Sequence, residues 1–134
     1  MAGIARLTQY QMPHSLRKLV NFNDAGVAAG VLVGTIPAGS IITSVIVQIA
    51  TVFNAATTNV LTVGTTGTGT DLMTSAEAVA GTQGQKAAAA FKATTASNPL
   101  AADTDVFVAY SQTGTAATTG TAYVLVSYHP NNDR

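Results

Sequence analysis

The sequence predicts an all-β protein: an antiparallel β-sandwich, with a jelly roll as one form of it, preceded by an extended N-terminal arm. Valine, isoleucine and threonine dominate the apolar segments, and these β-branched side chains fit a pleated sheet better than a helix. Apolar residues recur in these segments with a period of two. Turns rich in glycine, threonine and proline separate them, which is typical of sandwiches and barrels. The chain has 134 residues, and we expect one sandwich domain over residues 23–134.

Residues 1–22 are predicted to form the arm. Their apolar residues follow no lasting period, and Pro13 interrupts any helix there. Half of the six basic residues lie in this segment. It is either a frayed terminus or a segment that becomes ordered against a partner. On the second interpretation, the candidate interface residues are Arg6, Tyr10, Arg17 and Lys18.

The first strands are predicted within residues 27–36 and 41–53. The former ends at the turn sequence "PAGS". The latter would extend about 44 Å, longer than a usual strand, so we expect a bend, a bulge or an overhang. We assign Ile41, Thr43, Val45, Val47, Ile49, Thr51 and Phe53 to one face and Ile42, Ser44, Ile46, Gln48, Ala50 and Val52 to the other. The second face is half apolar, whereas a sandwich strand usually offers water a polar face, so we expect another surface to cover it.

Three later strands are predicted within residues 60–64, 106–111 and 122–129. The first of these should form a hairpin with the strand before it. Residues 74–93 allow two interpretations, because one or two helical turns with Ser75 as N-cap precede a segment that suits either a strand or a short helix. In the last strand, we place Ala122, Val124, Val126 and Tyr128 on one face. The predicted core contains Val45, Val47, Ile49, Val106, Val108, Val124 and Val126.

The charge content argues against several kinds of partner. The net charge is zero and 9% of the residues are charged, against about 25% in ordinary soluble domains. Nucleic acid needs clustered lysine and arginine, so we do not expect it as a partner. A surface with so few charges tends to associate, and we expect a dimer or trimer of the chain or contact with other chains.

No membrane association and no export are expected. No charged residue lies between Asp24 and Asp71, but Pro37, Gly39 and several polar residues break this stretch before it is long enough to span a membrane as a helix. The first twenty residues have no apolar core of a secretory signal. The chain has no cysteine, which excludes disulfides and thiolate metal sites and fits folding in a cytosol.

The sequence has no pattern typical of catalysis or of cofactor binding. His14 and His129 belong to no metal-binding motif and are expected at the surface or in an interface. Asp103 and Asp105 suit a turn before a strand better than a calcium site. The glycine-rich "GTTGTGTD" lacks the lysine of a phosphate loop, so we interpret it as a mobile hairpin loop. We predict no enzyme, no catalytic residue, no cofactor and no metal ion.

Three segments, in this order, resemble small structural proteins of tailed bacteriophages. They are "IPAGSIITSVIVQIATVFN…NVLTVGT", "NPLAADTDVFVAY" and "TGTAYVLVSYHP", which together cover about the last hundred residues. The resemblance is strongest to capsid decoration, or cement, proteins, and the arm takes no part in it. It implies a virion component made in the host cytoplasm and placed on the capsid surface, where it stabilises contacts between major capsid subunits.

Two alternatives remain open at this stage. The resemblance also extends to small tail or fibre proteins, because sequence does not show the symmetry that separates capsid from tail. A carbohydrate- or receptor-binding β-sandwich is the other alternative. The absence of tryptophan and an aromatic content of 6% argue against it, since such sites usually present exposed aromatic rings.

Overall fold

The computed structural model describes residues 12–89 and 98–131, and within them it confirms the antiparallel β-sandwich. The described elements are seven strands and one short helix. In chain order they are β1 (His14–Asn21), β2 (Val31–Ile36), β3 (Ile41–Thr51), β4 (Thr58–Gly64), α1 (Ser75–Ala78), β5 (Gly84–Ala87), β6 (Thr104–Thr113) and β7 (Thr121–His129).

The strands form two antiparallel sheets that enclose one core. The larger sheet has the order β1-β7-β3-β5 and the smaller has the order β2-β6-β4. Consecutive strands therefore always lie in opposite sheets. Because sequential strands do not pair, the hairpin predicted between residues 41–53 and 60–64 is wrong: β4 pairs with β6 instead.

The predicted core is confirmed. All seven residues assigned to it belong to the buried apolar cluster between the sheets. The alternation in β7 is confirmed as well, because Ala122, Val124, Val126 and Tyr128 are buried while the residues between them are partly exposed. These positions could be predicted because β7 lies inside its sheet and the extra residues of the irregular pairing with β3 all belong to β3.

The expected irregularity in the long strand is present in β3. Ile42 pairs with Tyr128 and Ser44 pairs with Ser127, so Thr43 is an extra residue at a β-bulge. A second shift lies between Ile49 and Thr51. The bulge reverses the alternation on its N-terminal side, which corrects the predicted faces: Ile42 is buried, whereas Thr43 is exposed.

The helical turn predicted after residue 74 is present as α1, but its N-cap is Thr74 and not Ser75. The Thr74 backbone N–H donates to the Glu77 carboxylate at 2.9 Å, which is one half of a capping box. Of the two predictions for the segment after α1, the strand is confirmed up to the end of β5, which pairs with β3. Residues 90–97 lie outside the described part of the chain.

The predicted boundary between arm and sandwich differs from the structure. Residues 14–21 form β1, which pairs with β7 over its whole length and buries Val20 completely. The second half of the expected arm is therefore an edge strand of the larger sheet. A single buried position and an exposed Leu19 leave too little alternation in the sequence to predict this strand.

One end of the core is closed by a packed aromatic pair. The Phe53 and Tyr110 rings lie 4.4 Å apart between centroids, and both residues are almost fully buried. The Tyr110 hydroxyl donates to Asn59 Oδ1 at 2.7 Å. Gly120 packs against the Phe53 ring with φ at 151°, a backbone conformation that side chains disfavour. A Cβ at this position would overlap the ring.

Because this hydroxyl is buried, the stability of the protein should depend on pH in the alkaline range. Burial raises the pKa of Tyr110 above its ordinary value. The unfolded phenol loses its proton first, so the free energy of unfolding should fall as pH rises beyond about 10. Tyr110→Phe should lower the free energy of unfolding by about 1 kcal/mol at neutral pH. It should also remove the loss of stability at alkaline pH that comes from this phenol. Urea unfolding between pH 8 and 11 measures both effects; an equal alkaline slope in the two proteins would contradict the assignment.

Candidate interaction surface

The described residues contain no candidate catalytic or metal centre. No group of three or more histidine, cysteine, aspartate or glutamate side chains comes together among them. His14 stacks on Tyr128 at 5.8 Å on the core-facing side of the sheet. His129 is the next residue along β7 and so points to the opposite side. The described residues also include no helix that is long and apolar enough to cross a membrane.

Each carboxylate in the described part of the chain accepts a hydrogen bond within a turn or between two segments. The distances from donor to carboxylate oxygen are 2.8 Å for Asn21 N–H to Asp24, 2.9 Å for Thr65 N–H to Asp71, 2.8 Å for Ala89 N–H to Glu77, 2.8 Å for Ala38 N–H to Asp103 and 2.6 Å for Thr35 Oγ1 to Asp105. Asp103 lies in the connection before β6, as the sequence predicts. The prediction is wrong for Asp105, which lies within β6 and accepts across the sheet from Thr35 on β2.

The outward side of the smaller sheet is largely covered. Thr62 and Ala109 point away from the core, yet their exposures are 7% and 5%. The glycine-rich loop after β4 folds back, because a Cβ on Gly64 would collide with the Gly69 backbone. The turn at Gly30 meets the same loop at Gly67, again too closely for a Cβ. The outward side of this sheet is therefore covered at its centre, while Leu32, Thr35 and Asp105 remain exposed on it.

The larger sheet has an open outward side, which we call the outer face. Two cross-strand rows define it, and in each row the residues lie directly opposite one another and share one side of the sheet. The first row is Arg17, Leu125, Ile46 and Ala87; the second is Leu19, Tyr123, Gln48 and Gln85. Apolar side chains occupy five of these positions and Arg17 carries the one charge. A further row of Ser15, Ser127 and Ser44 adjoins them.

Arg17 is held in place on the outer face by an aromatic ring. Its guanidinium carbon lies 4.8 Å from the centroid of the Tyr123 ring. A guanidinium at this distance from a ring makes a favourable cation–π contact, and its N–H groups can still donate to an acceptor. No carboxylate among the described residues pairs with Arg17.

The predicted interface residues fall into three groups. Arg17 lies on the outer face, whereas Lys18 lies opposite Val124 and so on the core-facing side of the edge strand. Arg6 and Tyr10 lie outside the described residues. Leu19, Tyr123 and Leu125 also lie on the outer face but were not predicted from the sequence as interface residues. Tyr123 and Leu125 could have been predicted, because they make the second face of the final strand as apolar as the second face of β3.

The two edges of the larger sheet carry inward-facing lysines. Lys18 lies on β1 opposite Val124, and Lys86 lies on β5 opposite Val47. A charge on the inner side of an edge strand hinders pairing with a strand from another chain. The outer face, and not the sheet edges, is therefore the surface of this sheet that suits a partner.

No protein-family model matches the sequence, and no curated protein matches it. Two solved structures resemble it along nearly its whole length. A chain of the cyanophage Pam1 capsid asymmetric unit has a TM-score of 0.68 and 22% identity, covering 97% of this chain and 92% of that one. The protein shares its fold with a phage capsid chain. A chain of the capsid of Ralstonia phage GP4 has a TM-score of 0.54 and 16% identity, covering 99% and 92% of the two chains.

Proposed function

We propose that the protein is a structural component of a tailed-bacteriophage virion, which binds the outside of the capsid and stabilises contacts between major capsid subunits. The observation that carries the proposal is the likeness to two phage capsid chains over more than nine tenths of each chain. The matched chains are therefore about as long as this one.

The surface chemistry supports the same role. The outer face is apolar at its centre, has uncharged polar residues beside it and carries one charge, and this distribution resembles the anatomy of a protein interface. The described residues form no candidate metal cluster, and their carboxylates accept hydrogen bonds within turns or between segments. Binding without chemistry is sufficient for a protein that clamps neighbouring subunits.

Association of the chain with itself, as a dimer or trimer, belongs to the same proposal. So does the jelly roll, which is supported by seven strands that alternate between the two sheets along the chain. A position in the tail is the alternative that the fold likeness leaves open. A carbohydrate-binding role finds less support, because the aromatic ring on the outer face is already covered by Arg17.

The test is to mix the purified chain with capsids assembled without it and to sediment the particles. We expect the chain to bind to a fixed number of copies per capsid and to raise the temperature at which the shell opens. Isolated tails serve as the matched control. Binding to tails and not to capsids would replace the capsid role with the tail role.

A further inference from the structure

We propose that the outer face of the larger sheet is the surface that docks on the capsid, and that its site on the shell is an apolar patch bearing a carboxylate that receives Arg17. This inference rests on the proposed function and extends it, because it specifies the face of the sandwich and the chemistry of the partner.

The outer face is the continuous open sheet surface of the sandwich. Leu19 on the edge strand is 42% exposed, and Tyr123 beside it continues the apolar surface towards Leu125 and Ile46. The corresponding side of the smaller sheet is less continuous, since Thr62 and Ala109 are buried at its centre and Leu32 is exposed on its edge strand. The lysines on the inner side of both sheet edges disfavour docking through strand addition.

Arg17 and Tyr123 give this face the composition of a binding hot spot. Tyrosine and arginine are enriched among the residues that contribute most to binding, above all near the middle of an interface. The guanidinium carbon lies 4.8 Å from the ring centroid, and this cation–π contact favours the conformation that Arg17 has on this face. An arginine covered by a partner must be paired, because an unpaired charge is costly to bury. The partner therefore supplies the carboxylate.

A second copy that presents the same face does not meet this requirement. In a two-fold contact both copies present the same face, and this face carries a cation and no anion. The carboxylates of the described residues lie outside this face, in turns and connections or, for Asp105, on the smaller sheet. At roughly 3.4 Å per residue and about 4.8 Å between strands, the two rows cover roughly 260 Å² in projection. A standard stable interface buries roughly 800 Å² per partner, so the docked surface extends beyond these two rows.

The test compares the binding of variants to capsids assembled without the chain. Arg17→Glu should weaken binding at least about thirtyfold, because it removes the ion pair and opposes two carboxylates. Lys18→Glu is the matched control: it makes the same charge change one residue away, on the other side of the strand, and should bind within about twofold of wild type. Arg17→Met keeps most of the apolar area and should still bind more weakly than wild type, because it leaves the carboxylate of the shell unpaired.

A second pair tests the apolar part of the face. Leu19→Gln should weaken binding about fivefold to tenfold, whereas Leu32→Gln on the smaller sheet should leave it unchanged. The two leucines are closely matched, with exposures of 42% and 48%. Melting temperatures of all variants establish that each one is folded.

The outcomes separate the two proposals. Failure of the wild-type chain to bind capsids overturns the proposed function and this inference with it. Wild-type binding that Arg17→Glu and Leu19→Gln leave intact overturns the inference alone. If Arg17→Met binds capsids more tightly than the wild-type chain, the proposal that a carboxylate of the shell receives Arg17 is wrong. Sedimentation analysis of the free chain is the last arm: if Arg17→Glu splits an oligomer of the wild-type chain, the face is a self-association surface and the inference is wrong.

Discussion

Phe53→Ala should lower the free energy of unfolding by about 3–5 kcal/mol. The ring is 1% exposed, lies 4.4 Å from the Tyr110 ring and fills the space against Gly120. Gly120 has no side chain that could move into the cavity, so the site cannot collapse easily. A loss of this size is a large fraction of the roughly 5–15 kcal/mol that stabilises a typical domain.

Urea unfolding followed by far-ultraviolet circular dichroism measures this loss. Leu32→Ala is the control, since it also removes a large apolar side chain but from a position that is 48% exposed. It should cost less than about 1 kcal/mol. Similar losses for the two variants would contradict the assignment of Phe53 to the core.

Deletion of Ile46 from the middle of β3 should prevent stable folding. A one-residue slip in a strand moves its side chains to the other face. The chain would then expose either Ile42 and Val45 or Val47 and Ile49, all of which are at most 2% exposed. Losing the burial of two such residues costs about 3–6 kcal/mol, and polar residues would enter the core in their place.

Deletion of Thr43 is the matched control within the same strand. Thr43 is the unpaired residue of the bulge, so removing it leaves Ile42, Ser44 and Val45 with their present alternation. It also removes a hydrogen bond from Thr43 Oγ1 to the Ser127 carbonyl oxygen, 3.2 Å long, and should cost about 1 kcal/mol. Thermal unfolding of the two deletion variants distinguishes them. Equal destabilisation would mean that the register of β3 is not set by this bulge.

The core could be predicted where a strand contains no extra residue of a bulge. Val124 and Val126 alternate with partly exposed residues along β7, and no bulge interrupts the pairing with β1. The inner face of β3 could be predicted only from Val45 onwards. The bulge at Thr43 depends on the pairing partner, which the sequence of β3 alone does not contain.

Other features depended on contacts between distant segments. The assignment of β4 to the smaller sheet follows from its pairing with β6, and no local signal distinguishes this from a hairpin with β3. β1 resembled an arm because Lys18 occupies a core-facing position in the edge strand, which breaks its alternation. Of the candidate interface residues, Arg17 proved to lie on the outer face. Its neighbour Tyr123 is 106 residues away in sequence and is brought beside it by the antiparallel pairing of β1 with β7.

An electron cryomicroscopy map of the native particle that contains this chain would test the proposed position and orientation together. We expect density for the sandwich on the outside of the capsid, with the larger sheet turned towards the shell and a carboxylate of a capsid subunit beside Arg17. Density in the tail, or a sandwich on the capsid whose outer face points to solvent, would contradict this expectation.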